Sequence, residues 1–343
     1  MPIPQDLRYS FAVNSTLIIR LSSIGDIIQC SAVPRHIKKN LGGHVHWLVR
    51  SDNQELVANN PYIDKVISFS RQNGLSGWIN LAQQLRKAQY THVYDAHNNI
   101  RSRILCFFLN PSNFLRRSKN RWKRFLLFFF KINLFKNSHS IDSYLEPLKK
   151  WGIQNDGLGS EIHLPDELIN KTIELLPQTG AKKIAVAPAT AWRKKTWPLE
   201  YWKSFIQKIL SNSSYQVIIL GGPKDDFCNE LVIDSDRVLS LQGKLSLLES
   251  AAVVKNCETL VAADTGLLHM AESLNKDVVA ILGPTPFGSP YRKSSQGLQT
   301  KIWCQPCSKD GSGVCINPTY QKCMKLIKPD AVWKSLTTVL GHS

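Results

Sequence analysis

The sequence predicts an α/β protein made of two doubly wound parallel domains, and three observations carry that expectation. Short apolar runs rich in β-branched residues alternate with helix-period stretches along the whole chain, the pattern of parallel α/β layers. The 343 residues are more than one core comfortably organises. A polar, proline-containing link near 155–166 separates two series of strand–helix units. The expected division is 1–165 and 166–328, two Rossmann-like domains facing a central cleft. A last helix at 329–340 is expected to return and pack on the first domain.

In the first series the strands fall at Thr16–Leu21, Val45–Val49, Val66–Phe69 and His92–Tyr94, each a short apolar run bounded by polar or small residues. Helical stretches near 27–40, 52–59 and 78–88 lie between them. The second series follows Leu164-Pro165-Asp166, with strands at Ile184–Ala187, Val217–Leu220, Val238–Leu241, Leu260–Ala262 and Val278–Leu282. Its helices are expected near 199–211, 225–234, 246–254 and 267–274. Ligands of such sheets bind beyond the carboxyl ends of the strands, so chemistry is sought in the loops after strands.

Composition excludes other classes. Hydrophobic residues make up 43% and charged residues 20%, which rules out a disordered, collagen-like or coiled-coil chain. The 43 basic residues against 26 acidic ones leave a net charge of +17, spread over both halves, and call for an anionic partner. The longest apolar runs, Ile104–Leu109 and Phe125–Phe130, are far short of the ~20 residues that cross a bilayer. The start, Met1-Pro-Ile-Pro-Gln-Asp6, lacks the apolar core of a signal peptide, so a cytoplasmic protein with reduced thiols is expected.

Four post-strand loops hold candidate chemistry. The first, Arg20-Leu-Ser22-Ser23-Ile-Gly25-Asp26, offers a glycine for an unusual backbone angle or a close approach by ligand, and an aspartate that is either a helix N-cap or a general base. The second, Ala187–Pro198, sets Thr190 ahead of Arg193-Lys194-Lys195, a cation run that suits a diphosphate or else forms a solvated face. The third, Gly221-Gly222-Pro223-Lys224-Asp225-Asp226, has carboxylates that either accept from ribose hydroxyls or brace a plain turn. The fourth, Ala263-Asp264-Thr265-Gly266, opens a helix and so presents free N–H groups to an anion, with His269 beyond it as a core or site residue.

Taken in order, these loops resemble the ADP-heptose:lipopolysaccharide heptosyltransferases, glycosyltransferase family 9, and especially the second-heptose type. The resemblance covers about residues 16–335. It rests on Ser22-Ser23-x-Gly25-Asp26, Lys195-x-Trp197-Pro198, Ala263-Asp264-Thr265-Gly266-Leu267-x-His269, and the segment from Asp95 to Arg101-Ser102. It implies a GT-B fold and inverting, metal-independent transfer of heptose from ADP-heptose to a lipopolysaccharide inner-core acceptor. By that likeness Asp26 is the catalytic base and Lys195 contacts the donor phosphate. Thr190, Asp264, Thr265, Gly266 and His269 belong to the donor site. Asp225 or Asp226 stands where relatives use Glu for ribose. Ser22, Ser23, Gly25, Asp95, Arg101 and Ser102 fall on the acceptor side. No cofactor is implied, and the chain is read as lacking the Asp-x-Asp triplet of metal-binding glycosyltransferases.

Two further features need their own account. Between Asp95 and Asp142 there is no acid, while ten Lys/Arg interleave with Phe107, Phe108, Phe114, Trp122 and Phe125–Phe130. Core packing is expected to account for many of those rings. Residues 114–136 are also expected to reach the anionic inner face of the cytoplasmic membrane, where a phosphorylated, lipid-linked acceptor sits. Cys304, Cys307, Cys315 and Cys323 are clustered and read as reduced thiols, with a structural zinc tetrathiolate as the alternative. Transfer of a different nucleotide-activated sugar remains an alternative within the class. A nucleic-acid-binding protein is disfavoured because no RNP, KH or zinc-finger pattern is present. A dinucleotide oxidoreductase is disfavoured because no G-x-G-x-x-G follows a strand.

Overall fold

A computed structural model describes residues 14–135, 139–286 and 288–341. The described residues divide into two compact units: one holds those up to 120 together with 140–163, the other those of 121–139 together with those from 164 onward.

The first unit is a five-stranded parallel sheet in the order β3-β2-β1-β4-β5. Its strands are β1 (Ser15–Ile19), β2 (His44–Arg50), β3 (Lys65–Phe69), β4 (His92–Asp95) and β5 (Asn113–Arg116). The central strand reads Ser-Thr-Leu-Ile-Ile and is buried at every position, as a strand covered on both faces must be. Helices α1 (Ile24–Cys30), α2 (Ala32–Leu41), α3 (Glu55–Ala58), α4 (Gly74–Lys87) and α5 (Ile100–Leu109) cover it. The chain then leaves in α6 (Arg121–Phe130) and returns to this unit in α7 (Asp142–Leu145). One core layer joins Leu17, Ile19, Leu48, Ile67, Phe69, Trp78, Leu81, Leu85 and Leu105.

The single helix expected over 27–40 is two. Ser31 separates α1 from α2 and turns its hydroxyl onto the carbonyl of Ile28 at 2.7 Å, a local bond that competes with the helical ladder. The second piece carries a clamp. Arg35 is buried and forks onto Asp156 (2.8 and 3.1 Å), bonds the Glu161 carboxylate, and donates to the Gly159 carbonyl at 2.9 Å. Burial works against both carboxylates, yet Arg35 at Asp156, and His163 followed by Arg35 at Glu161, hold them below their ordinary pKa. That stabilisation is present at neutral pH and fades as acid protonates them. Replacing Arg35 by Ala strands two part-buried carboxylates and is expected to cost about 3 kcal/mol, seen as a lower urea midpoint. An unchanged midpoint would show that the clamp contributes nothing.

The second unit is a six-stranded parallel sheet, β11-β10-β9-β6-β7-β8. Its strands are β6 (Lys183–Ala187), β7 (Gln216–Ile219), β8 (Val238–Ser240), β9 (Thr259–Ala263), β10 (Val278–Leu282) and β11 (Gln296–Gln299). Its helices, besides α6, are α8 (Asp166–Glu174), α9 (Leu199–Asn212), α10 (Leu247–Lys255), α11 (Gly266–Ser273), α12 (Lys322–Lys325) and α13 (Pro329–Gly341). A helix expected over 225–234 is only a 3-10 turn, Asp226–Leu231.

The last helix does not return to the first unit. Val332, Leu336 and Val339 of α13 enter the second core beside Trp197, Trp202 and Phe205, and α13 lies along α9 and β10. Burying that apolar stripe beside the sheet of its own unit satisfies the helix without a crossover. Residues 121–139 also belong here. Lys131 donates to the carbonyls of Cys304 (3.3 Å) and Pro306 (2.7 Å), and a ring nitrogen of His139 bonds the Ser289 carbonyl at 2.7 Å.

Candidate active site

In the first unit β1 lies between β2 and β4, so the chain leaves the centre of the sheet in opposite directions and its topology switches there. Ile19 and Asp95 pair across that switch, which brings the loops after β1 and β4 together. Asp26 sits in this crevice. It is the third residue of α1, and Ser23 holds the N-cap position. The carboxylate is therefore not the cap that the loop alone allowed. Arg20 reaches one oxygen at 2.5 Å and Ser23 donates to the same oxygen at 2.9 Å. The Tyr144 hydroxyl donates to the other at 2.7 Å, with Arg117 at 3.8 Å.

Burial opposes the charge on Asp26. Arg20, the Tyr144 hydroxyl and Arg117 outweigh it and hold the carboxyl well below the usual carboxylate range. The side chain remains 37% exposed, so the ionised group is reachable. Its surroundings are rigid. The Arg117 guanidinium lies 3.6 Å from the Tyr144 ring centre and bonds Ser143, while the Tyr94 hydroxyl donates to the Tyr144 carbonyl at 2.7 Å. Arg20 also donates to the Ala96 carbonyl at 2.9 Å. Next to this group, burial and then Arg20 push His97 down to about 4, so its imidazole is neutral at pH 7.

The second sheet repeats the arrangement. The strands flanking its switch are β6 and β9, and the loops after them carry Thr190–Lys195 and Asp264–Gly266. A short 3-10 turn, Arg193–Lys195, buries Lys194 and Lys195 and leaves only Arg193 in solvent, so this cation run is not a solvated face. Lys195 Nζ lies 3.3 Å from Asp264 Oδ2, which also accepts from Thr285 at 2.7 Å. Thr190 donates to the Trp192 carbonyl and shares a 2.9 Å bond with Thr196, closing the loop on itself. Thr265 is the N-cap of α11, whose first turn offers N–H groups to an anion.

The second site has a backing that the sequence did not announce. Gly311 has φ +99°, and a Cβ there would stand 2.8 Å from Lys195 Cγ, so its bare backbone supports the lysine stem. Lys194 donates to the Val314 carbonyl at 3.2 Å, and Gln321 donates to the Thr196 carbonyl at 2.9 Å. The cysteine-bearing segment thus packs under the cation loop.

Comparison with known proteins adds to this geometry. The family model described as glycosyltransferase family 9 (heptosyltransferase) matches residues 78–315, more than half of the chain. The chain belongs to that family. A lipopolysaccharide heptosyltransferase 1 from Campylobacter coli is 26% identical over 303 residues, covering 83% of this chain and 87% of that protein. The glycosyl transferase family 9 structure from Veillonella parvula superposes with a TM-score of 0.79 at 21% identity, covering 98% of this chain and all of that one. The E. coli ADP-heptose lps heptosyltransferase II gives 0.72 at 17% identity, covering 96% and 99%. The fold is thus the α/β GT-B type, and this family member is a glycosyltransferase of the heptosyltransferase class acting in lipopolysaccharide synthesis.

Not every residue expected at this heptosyltransferase's site lies where the resemblance put it. Ser22, Ser23 and Asp26 share the β1 crevice. Gly25 has ordinary helical backbone in the first turn of α1, so an unusual angle is not its purpose. Asp95 is fully buried and braces its own loop. It accepts from the N–H groups of His97 and Asn98, from Ser102 at 3.1 Å and from Arg116 at 2.9 Å. Ser102 is spent on that bond and on a capping box with Asn99. Arg101 is exposed, in a groove against α4.

In the donor half, Asp225 turns back to accept from the Gly222 N–H at 2.7 Å and braces the glycine turn. Asp226 is the exposed one of the pair, 3.5 Å from the Gln242 amide. His269 is buried inside α11. The chain does contain an Asp-x-Asp sequence, Asp234-Ser235-Asp236. It forms the turn at the amino end of β8, where Asp234 accepts from the N–H groups of Asp236 and Arg237. That turn opens an edge strand at its amino end, whereas Lys195 follows the carboxyl end of the central strand β6.

Sequence reasoning missed Tyr144 and gave no role to Arg20, Arg117 or His97. Tyr144 is 118 residues from the carboxylate it serves, and no local pattern marks it. The four clustered cysteines are free and line one enclosure of about 10 Å³, roughly one water in size. Among the described residues no group of three or more His, Cys, Asp or Glu is arranged to hold a metal ion.

Proposed function

We propose that the chain transfers heptose from ADP-heptose, with inversion and without a catalytic metal, to a phosphorylated, lipid-linked inner-core acceptor. The observation that carries this reading is the pair of charges at the two switch points: a carboxylate kept ionised in the first unit, and a buried lysine in the second. The first unit takes the acceptor and the second the donor. The acceptor hydroxyl oxygen forms the new bond to the anomeric carbon from the side opposite the leaving group. The carbon–oxygen bond to the diphosphate breaks, the hydroxyl proton passes to Asp26, and ADP departs with the electron pair. Lys195 and the N–H groups at the start of α11 meet the charge that grows on the diphosphate. Thr190 and Thr265 are donor-side positioning groups. Arg20 and Tyr144 hold Asp26 in one orientation.

The donor is assigned from the printed name of the E. coli relative, an ADP-heptose heptosyltransferase, together with the cation loop. The test is release of ADP from ADP-heptose with a lipid A-type acceptor bearing an anionic inner-core sugar. Turnover is expected to persist in chelator. A higher rate with another nucleotide sugar would replace the donor, and a strict requirement for added divalent ion would end the metal-free reading.

Because Asp26 must be ionised to accept a proton, its low pKa keeps the acid limb of kcat/KM far below neutrality. Removing the positive charge of Arg20 raises that pKa. The variant Arg20→Gln is therefore expected to move the acid limb upward by one or more pH units, about 1.4 kcal/mol for each. An unmoved limb would show that Asp26 is not the titrating group.

Contact with an anionic inner membrane face belongs to the same reading. The α6 helix displays Trp122, Phe129 and Phe130; its Trp122 ring stacks on Phe125, which meets Phe129 at a tilt, beside Arg121 and Lys123. Of the expected 114–136 segment, Lys136 lies outside the described residues. No helix among the described residues is long and apolar enough to cross a membrane.

A further inference from the structure

The first unit has a feature that the transfer chemistry does not use. A groove of about 880 Å³ runs between α4 and α5. Its floor is Phe69, Trp78 and Ala82, and its walls are Leu75 and Ile79 from α4 and Ile104 and Phe108 from α5. These wall residues are exposed, Leu75 by 74%, and Phe107 beside them by 82%. Large apolar side chains held in solvent around a concave surface mark an interaction site.

Charge says which kind. Three arginines, Arg71, Arg86 and Arg101, line the same groove, and no acidic residue lines it. None of the three forms an ion pair among the described residues, whereas the interior Arg20 and Arg35 are both paired. A groove with an apolar floor and unpaired cations of one sign fits a ligand with a hydrocarbon body and an anionic head. A second copy of this chain fits poorly. A two-fold contact through this face would set its arginines against their own copies.

We propose that the groove between α4 and α5 seats an acyl chain of an anionic membrane phospholipid, with the phosphates of the surrounding anionic surface drawn to Arg71 ahead of the first turn of α4, Arg101 in the first turn of α5 and Arg86 in the last turn of α4. The proposal deepens the membrane reading and rests on it. It adds a lipid site on the first unit, separate in sequence from α6. Burying methylenes along the apolar walls supplies the attraction that salt does not screen, and the arginines supply the part that salt weakens.

The experiment uses the full chain and vesicles of phosphatidylglycerol and phosphatidylcholine in equal parts, with pure phosphatidylcholine as control. Four proteins are compared: wild type, Arg71→Gln/Arg86→Gln, Leu75→Gln/Phe108→Gln and, in α6, Trp122→Ser/Phe129→Ser. Wild type is expected to sediment with the anionic vesicles only. The charge variant loses about 25-fold in partitioning, a factor of about five per arginine, with a shallower salt dependence. The apolar variant loses binding at low and high salt alike. Both groove variants should release ADP from a water-soluble, deacylated acceptor at the wild-type rate, so a failure of lipid binding is told apart from a failure of the transfer reading. A phosphatidylglycerol with a photoreactive acyl chain is expected to label residues within 69–108.

Several results would overturn the proposal. Unchanged sedimentation of both groove variants is one, and loss of binding only on Trp122→Ser/Phe129→Ser is another. Labelling confined to residues outside 69–108 would do the same. So would equal competition by inorganic phosphate, or a dimer abolished by Leu75→Gln/Phe108→Gln.

Discussion

Asp26→Asn is expected to lower kcat by about 10²- to 10⁴-fold while the dissociation constant for ADP-heptose stays within a few-fold of wild type. The amide fills the same space and can still accept from Tyr144, but it cannot take the hydroxyl proton. The donor is assigned to the other unit, so its binding should not sense the change. The measurement is single-turnover ADP release beside a donor titration, with circular dichroism to confirm that the fold persists. The control matters because Arg20 is buried and would lose its charge partner. A variant that turns over within a few-fold of wild type would reduce Asp26 to a structural partner of Arg20.

Lys195→Gln should show a different signature. Here the charge is needed most as the bond to the diphosphate breaks, so kcat should fall about 10²- to 10³-fold, more than KM rises. The Lys195 stem is packed against Gly311 and its head against Asp264, which means a residue of similar length keeps the loop in place. If KM alone rises and kcat holds, the lysine binds the donor without helping it depart. Loss of both Asp26 and Lys195 should cost little more than the worse single change when the two act in one step.

Much of the fold was legible because parallel strands buried on both faces leave continuous apolar runs. Ile18 and Ile19, Val186, Val261 and Val279 sit in such runs and are fully buried. What escaped was the edge and the cover. Strand β5 is a four-residue edge piece and β11 reads Gln-Gly-Leu-Gln, both too polar to stand out. Helix α5 carries Phe107 and Phe108 outward, so its apolar pattern does not mark a single buried face. The direction of α13 was misjudged because an amphipathic stripe says that a helix packs but not on which sheet.

The sequence by itself determined the two series of parallel units, the loops that hold chemistry, and the family, because periodicity and short motifs are local properties of the chain. Tertiary structure alone decided which of those loop residues are free to act. Asp26 and Asp264 end beside cations at the two switch points with room for a ligand, while Asp225 spends an oxygen on the Gly222 N–H and the fully buried Asp95 is used up by two backbone N–H groups, Ser102 and Arg116. A carboxylate's chemistry is set by whatever lies within a few ångströms of it, and that neighbour, Tyr144 for Asp26, can come from anywhere along the chain.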